Sequence, residues 1–269
     1  GYAVGYVGSL TTLAIAFPLY EAGFGAENLL SVRTSFLIAA AIFLIFAIPL
    51  FLAVPDLQRR ESLKLNFAKI GLDRIRSTFQ EFPKYRNVAR FLFSYFVYID
   101  AVNTIIIFSS IFADETLHLE TKEIIIFFAI VQTSAALGSV FFGFLSDKFG
   151  HKRILSASLV LWIVIVIIAY FTQEKEMFFG VGALAGIALG SSQSSSRSLM
   201  SKIVPKEKKT EFFGFYSFFG KASAILGPAV FGYISSNVNQ RSALLAVGVL
   251  LLAGLILLRR VDEAPIGAS

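Results

Sequence analysis

The chain has 269 residues, of which 56% are hydrophobic and 16% charged, and its mean hydropathy is +0.72. Soluble domains are about 45–50% apolar and about one-quarter charged, so this composition excludes a soluble globule and indicates a polytopic membrane protein. The sequence has no Cys, which excludes disulfides and thiolate metal sites, and His118 and His151 lie too far apart to form a metal site by themselves. We expect no metal and no organic cofactor.

A helix crosses the hydrocarbon core in about 20 mostly apolar residues. Eight stretches of the sequence meet this standard: 2–20, 33–54, 89–112, 123–146, 153–171, 177–200, 211–235 and 242–258. The sequence therefore predicts an all-α polytopic membrane protein with eight transmembrane helices.

The connection 55–88 separates the first two predicted spans from the last six. Its apolar residues partly fit an amphipathic helix lying at the membrane interface, and a plain solvated linker is the alternative. These apolar residues are Leu65, Phe67, Ile70, Leu72, Ile75 and Phe79.

The third predicted span carries a carboxylate, Asp100, near its middle, with Asn103 and Thr104 one turn further along the same face. Desolvation at that depth favours the neutral carboxyl group, which makes Asp100 a candidate for accepting and releasing a proton. The alternative is a structural Asp100 that pairs with Arg197 or Lys221.

The turn between spans four and five reads "GFLSDKFGHKR". We expect Gly143 to allow close helix approach and Gly150 to permit the chain reversal. The basic residues of the turn would pair with Asp147 or with neighbouring helix C-termini. A basic turn that merely orients the helices is the alternative. The motif consists of Gly143, Asp147, Lys148, Gly150, Lys152 and Arg153.

The sixth span contains Gly182, Gly186 and Gly190 at the four-residue spacing that lets helices approach closely in lipid. The same face continues through "GSSQSSSRS" to Gln193 and Arg197. A charge inside a span usually faces a cavity or a partner, which indicates a polar cavity here. The alternative for Arg197 is snorkelling to the membrane interface.

The seventh span places Lys221 about ten residues into the membrane, where it would contact a substrate carboxylate or pair with Asp100. If the span begins later, near Phe218, then Lys221 lies at the interface instead. Gly227 and Pro228 follow, and this pair predicts a break or kink in the helix.

Basic residues alternate between the two membrane faces along the chain. The connections on one face hold 17 Lys and Arg residues, and those on the other face hold four, namely Arg33, Lys122, Lys175 and Arg241. Because positive residues are retained on the cytoplasmic face, this asymmetry predicts that both ends are cytoplasmic. A net charge of +6 spread over short loops on one face also argues against nucleic-acid binding.

The turn motif resembles the signature loop of the major facilitator superfamily of transporters. In that superfamily the loop occurs after the second helix of a six-helix half and again after the eighth helix. The resemblance implies that residues 1–54 form the last two helices of an N-terminal half. Residues 55–88 would then be the central linker and 89–269 the C-terminal half, with the first four helices of the transporter missing from this chain.

The block "SSSRSLMSKIVPKEKKTEFFGFYSFFGKASAILGP" narrows the match. It resembles the vacuolar amino-acid effluxer-like family known from autophagy, as do "DAVNT" in span three and "LLRRVDE" near the end. The resemblance implies a secondary transporter that moves a small polar solute, best assigned as amino acids, by alternating access and without an enzymatic step. The short loops favour a bacterial member, and Ser9, Ala101 and Ser191-Ser192 depart from the pattern where glycine is expected.

The substrate and coupling candidates are Asp100, Asn103, Thr104, Gln193, Arg197 and Lys221. Their expected partners are a small solute, the lipid bilayer and a coupling proton. Three alternatives stay open: a transporter of sugars, peptides or drugs, a receptor or scaffold that keeps the fold without transport, and an integral-membrane enzyme, which the residue content disfavours.

Overall fold

The computed structural model describes residues 2–20, 28–54 and 82–263, and over these ranges the chain is helical and has no strand. The apolar positions of the predicted amphipathic linker segment, 65–79, lie outside the described residues. The α-helices are α1 (Tyr2–Ala16), α2 (Leu29–Ala53), α3 (Arg86–Ile111), α4 (Thr121–Phe149), α5 (His151–Phe171), α6 (Lys175–Ile203), α7 (Lys209–Ala222), α8 (Leu226–Asn237) and α9 (Gln240–Arg259). A 3₁₀ turn, Phe17–Tyr20, extends α1, and a π-helical turn, Phe112–Thr116, extends α3.

The helices confirm the predicted all-α membrane architecture. In the described ranges seven helices are long and apolar enough to cross a membrane. The seventh predicted span, 211–235, forms two short helices instead, α7 with 14 residues and α8 with 12, separated by a 3₁₀ turn at Ser223–Ile225.

Pro228 causes the break between α7 and α8. Pro228 lacks an N–H group, and its ring collides with the carbonyl of the residue four positions earlier, which is Ala224. Ala224 is where the backbone leaves helical geometry, with ψ at 19°. The break therefore lies just before Gly227 and Pro228, and Pro228 sits in the first turn of α8, where its missing N–H costs nothing.

The chain divides into two compact units, residues 11–84 and residues 1–10 with 85–269. In the first unit, the hydroxyl groups of Tyr20 and Ser35 lie 2.6 Å apart and join the end of the first span to α2. In the second unit, α6 packs against α4 and α5, and α9 packs against α3, α5 and α8. Helix α3 also contacts α7 and α8.

The contact between α4 and α6 is a backbone contact. A Cβ atom added at Gly186 or Gly190 would overlap the carbonyl oxygens of Val131 and Ala135, respectively. In the other direction, a Cβ at Gly138 would lie 2.7 Å from the carbonyl oxygen of Ile187. The two helices thus interlock through glycines on both sides, as small residues permit in lipid.

The serine tract of α6 presents two faces. Ser191, Ser192, Ser195 and Ser196 are buried. The Ser196 hydroxyl lies 2.6 Å from that of Tyr98 on α3, and the Ser191 hydroxyl contacts that of Ser158 on α5. Ser191 and Ser196 therefore join α6 to α5 and α3 by hydrogen bonds, while the opposite face of the tract is free to form a site.

We predict that Gly190→Ala destabilises the protein by about 1–3 kcal/mol, because the added methyl group forces the interlocked backbones of α4 and α6 apart. Gly180→Ala is the matched control on the same helix, since a Cβ at Gly180 meets nothing within 4 Å. Thermal unfolding of the full-length protein in detergent measures both. Equal stability losses for the two variants would show that the interlock is wrong.

Candidate functional site

A cavity of about 970 Å³ lies among α1, α4, α6 and α7 in the unit formed by residues 1–10 and 85–269. Its volume is at the upper end of the range for small-molecule sites. The lining is mixed. Its polar side chains are Tyr2, Ser139, Asp147, Ser194, Arg197, Ser198 and Ser201, and its larger apolar ones are Val140, Phe144 and Phe213.

Two opposite charges share this cavity. Arg197 comes from α6, and Asp147 comes from the last turn of α4, within the turn motif. The Arg197 guanidinium lies 5.8 Å from the centre of the Phe213 ring, which supports the cation from α7. Within the described ranges neither charge takes part in an ion pair, so both are available to a charged ligand.

The structure corrects the packing role expected for Gly143. Nothing lies within 4 Å of a Cβ placed there, so Gly143 does not support close helix approach. It lines the cavity instead, next to Phe144 and about one turn before Asp147. Close approach occurs earlier on α4, at Val131, Ala135 and Gly138.

Gln193 lies directly beside the cavity residue Ser194. Its Oε1 atom accepts a hydrogen bond of 2.8 Å from the Tyr6 hydroxyl on α1. Tyr6 was not identified from the sequence, where it is one of nine tyrosines in an apolar chain. Because Gln193 is 187 residues away from Tyr6 along the chain, no local sequence pattern identifies this pair.

Asp100 lies apart from the cavity lining, at the helix break. It is 2% exposed, and its Oδ1 atom accepts a 2.8 Å hydrogen bond from the backbone N–H of Gly227 in the first turn of α8. The Thr104 hydroxyl donates to the Asp100 carbonyl over 2.7 Å, and a Cβ at Gly227 would overlap the Thr104 hydroxyl. The Asn103 amide donates weakly, at 3.5 Å, to the carbonyl of Gly220.

Asp100 thus fixes a broken helix in place. Over the described residues it forms no ion pair with Arg197 or Lys221, the two partners considered from the sequence. Lys221 is exposed, on a face of α7 that also presents Gly214 and Ser217. The structure therefore groups Asp100 with Asn103, Thr104 and the break, and Arg197 with Asp147.

The turn of the motif is held by a residue from the far end of the chain, Glu263. Gly150 has φ at 96°, a conformation that favours glycine, and a Cβ there would lie 2.8 Å from Glu263 Oε2. The backbone N–H groups of His151 and Lys152 donate to the Glu263 carboxylate over 2.8 and 3.1 Å. Glu263 therefore satisfies the free N-terminal donors of α5.

The three basic residues of the turn motif make different contacts. Lys152 Nζ donates to the carbonyl of Arg259 at the end of α9 over 3.0 Å, as expected for a cation at a helix C-terminus. Lys148 lies 5.5 Å from the centre of the Phe149 ring, and Arg153 is exposed.

Lys202, at the end of α6, completes the cluster around Glu263, with its Nζ atom 3.0 Å from Glu263 Oε1. Partial burial raises the pKa of Glu263. The hydrogen bonds from Lys202 and from the two backbone N–H groups lower that pKa further, so it lies below its ordinary value. One carboxylate thus joins the ends of α5, α6 and α9.

We predict that the stability contributed by Glu263 is lost at acidic pH. Because the folded-state pKa is below the unfolded one, the contribution is complete at neutral pH and disappears as the pH falls through the folded-state pKa. Glu263→Gln should lower the melting temperature of the full-length protein at pH 7 and flatten its dependence on pH below about 4.5. Asp262→Asn is the matched control, because Asp262 contacts Asn87 through its backbone. Identical pH profiles of wild type and Glu263→Gln would contradict the assignment.

Comparison of this sequence with known proteins shows the family to which the chain belongs. Residues 1–264 match the family model described as "Vacuole effluxer Atg22 like". YxiO of Bacillus subtilis, named an uncharacterized MFS-type transporter, is 30% identical over 271 residues, which cover 98% of this chain and 62% of YxiO. Autophagy-related protein 22 of Saccharomyces cerevisiae is 27% identical over 189 residues, covering 65% of this chain and 35% of the yeast protein.

A third relative, a homolog of the multi-drug resistance efflux pump PmrA in Lactococcus lactis, is 29% identical over 126 residues, covering 47% of this chain and 31% of that protein. The chain therefore spans less than two-thirds of the length of each of these relatives. The family model, in contrast, extends over nearly the whole chain. The chain is an integral membrane protein of the vacuole effluxer Atg22-like family.

Proposed function

We propose that this chain belongs to a secondary transporter that moves a small polar solute across a membrane by alternating access. The observation that carries the proposal is the cavity of about 970 Å³ in which Arg197 and Asp147 stand without an ion-pair partner among the described residues. Isolated charges are expensive inside a membrane and usually mark a substrate or ion pathway. The family and the names of the relatives support transport over enzymatic catalysis.

Amino acids are the best candidate solutes, and export is the best candidate direction. A guanidinium group binds a carboxylate through paired hydrogen bonds, and the hydroxyls of Ser194, Ser198 and Ser201 supply further polar contacts in the same cavity. Gln193 adjoins these residues, and the exposed Lys221 adds a second cation on α7. The effluxer name of the family supports export.

A second candidate solute class is drugs. The Lactococcus relative carries the name of a multi-drug efflux pump, and Phe144 and Phe213 give the cavity aromatic surface. We also propose that the protein lies in a bacterial cytoplasmic membrane, which the short loops support. The asymmetry of Lys and Arg between the two faces supports cytoplasmic chain ends.

The turn motif serves as a gate on the solute pathway, with Asp147 as the member that lines the cavity, whereas Arg197 is the charge that we assign to solute binding. Gly150 and Lys152 connect it to Glu263 and to the end of α9. A movement of Asp147 would therefore be transmitted to the three helix ends that Glu263 joins. Alternating access requires this kind of coupled, rigid-body movement of helices.

We predict that Arg197→Gln raises the KM for solute about tenfold or more, because it removes a charge-assisted contact with the solute carboxylate. Counterflow of radiolabelled amino acids into proteoliposomes containing the full-length protein measures this. Lys206→Gln is the matched control, since Lys206 is an exposed loop cation outside the cavity. If the wild type moves no amino acid, that solute class is wrong, and a panel of drugs and sugars tests the alternative.

We propose that Asp100 couples transport to a proton. The Asp100→Asn variant retains an oxygen acceptor for the Gly227 N–H but cannot release a proton. We therefore predict near wild-type stability and continued counterflow, with loss of accumulation driven by a proton gradient. Asp100→Ala leaves the Gly227 N–H buried without its acceptor and should cost about 1–3 kcal/mol of stability as well. Unchanged gradient-driven accumulation in Asp100→Asn would show that the coupling role is wrong.

A further inference from the structure

Two hydrogen bonds between neutral side chains join α1 to the helices of the cavity. The Tyr6 hydroxyl donates to Gln193 Oε1 on α6 over 2.8 Å. The Gln132 amide on α4 donates to the Ser9 hydroxyl over 2.8 Å. Tyr6 and Ser9 are one turn apart and face the same pair of helices.

Both bonds lie on the side of the cavity away from the basic loops. On α6 the lining runs from Ser194 to Ser201 towards the basic loops, and Gln193 is the next residue in the opposite direction. On α4 the lining begins at Ser139, and Gln132 lies seven residues, or about 10 Å, further from the basic end. The cavity therefore extends towards the basic loops, with Gln193 next to its other end and Gln132 about 10 Å beyond that end.

The packing of α1 differs from that of its neighbours. Helices α4 and α6 interlock through their backbones at Gly138, Gly186 and Gly190. At Gly5 on α1, in contrast, an added Cβ meets no atom of the described residues within 4 Å. Here α1 is joined to α4 and α6 by the two side-chain hydrogen bonds.

We propose that Tyr6–Gln193 and Ser9–Gln132 form the barrier that closes the cavity towards the acidic face of the membrane, which is the face opposite the basic loops and carries Asp114, Glu115 and Glu120. Both bonds must break for the solute to reach that face. The inference rests on the proposed function, since a barrier that opens has meaning only in a transporter. It also assigns Gln193 two partners in alternation: Tyr6 when the barrier is closed, and the solute when it is open.

A reversible cross-link tests whether the barrier must open. The sequence of this chain has no Cys, so the double variant Ser9→Cys, Gln132→Cys is made in full-length protein with any other cysteines replaced. A short bis-methanethiosulfonate reagent should join the pair and abolish solute flux, and reduction should restore it. Ser9→Cys with Thr133→Cys is the matched control, because Thr133 is exposed on a different side of α4. Full flux through the cross-linked pair would overturn the proposal.

A second measurement does not depend on cross-linking. Ser194→Cys, which lies in the cavity, is labelled with an impermeant thiol reagent from either face in right-side-out and inside-out vesicles. The ratio of the two rates reports the ratio of the two open states. Gln132→Met removes one hydrogen bond of the barrier and should raise the acidic-face to basic-face ratio about fivefold. An unchanged or lower ratio would overturn the proposal.

The two proposals fail in different ways. If the wild type moves no solute, the proposed transport function is wrong, while the labelling ratio still reports which face the cavity opens to. If the wild type transports but the cross-linked pair keeps full flux, or Gln132→Met does not raise the labelling ratio, the barrier assignment alone is wrong.

Discussion

The backbone contact between α4 and α6 sets the geometry of the rest of the site. Because Gly186 and Gly190 bring α6 directly against α4, the rotation of α6 about its axis is determined for the residues that follow. Ser191, Ser192, Ser195 and Ser196 turn inward. Ser194, Arg197, Ser198 and Ser201 turn towards the cavity. A polar tract in the middle of a membrane is tolerated because Ser191 and Ser196 on one face bond to α5 and α3 and the other face lines a cavity.

The break between α7 and α8 is the second place where the membrane imposes a requirement. Hydrocarbon offers no partner to a free backbone N–H, so a helix can break only where the protein supplies an acceptor. Asp100 supplies one to Gly227, and Thr104 closes the space around it. The same carboxylate that we propose as the proton carrier is therefore also a structural support. A change in its protonation would act directly on the break, which lies two residues after Lys221.

The sequence predicts the elements of this fold well and their long-range partners poorly. The hydropathy of 153–171 and the proline at 228 are local signals, and the observed helix α5 and the break at Ala224 follow from them. Glu263 and Tyr6 carry no local signal, since their partners are more than 100 residues away. Gly143 shows a different limit of prediction from sequence. A glycine near a helix end fits close packing and an open cavity equally well, and only the neighbouring backbone decides which occurs.

Helix α6 is held by different kinds of interaction on its α4 side, which stays fixed, and on its α1 side, which must open. The α4–α6 side is fixed by backbone overlap, which cannot be relieved without separating two whole helices. The α1 side is held near the cavity by hydrogen bonds between neutral side chains, each contributing about 0.5–1.5 kcal/mol net. Two conformations interconvert readily when they differ by a few kcal/mol. An ion pair buried in place of Tyr6 and Gln193 would cost several kcal/mol to break. Neutral pairs therefore suit a contact that must form and break in each cycle.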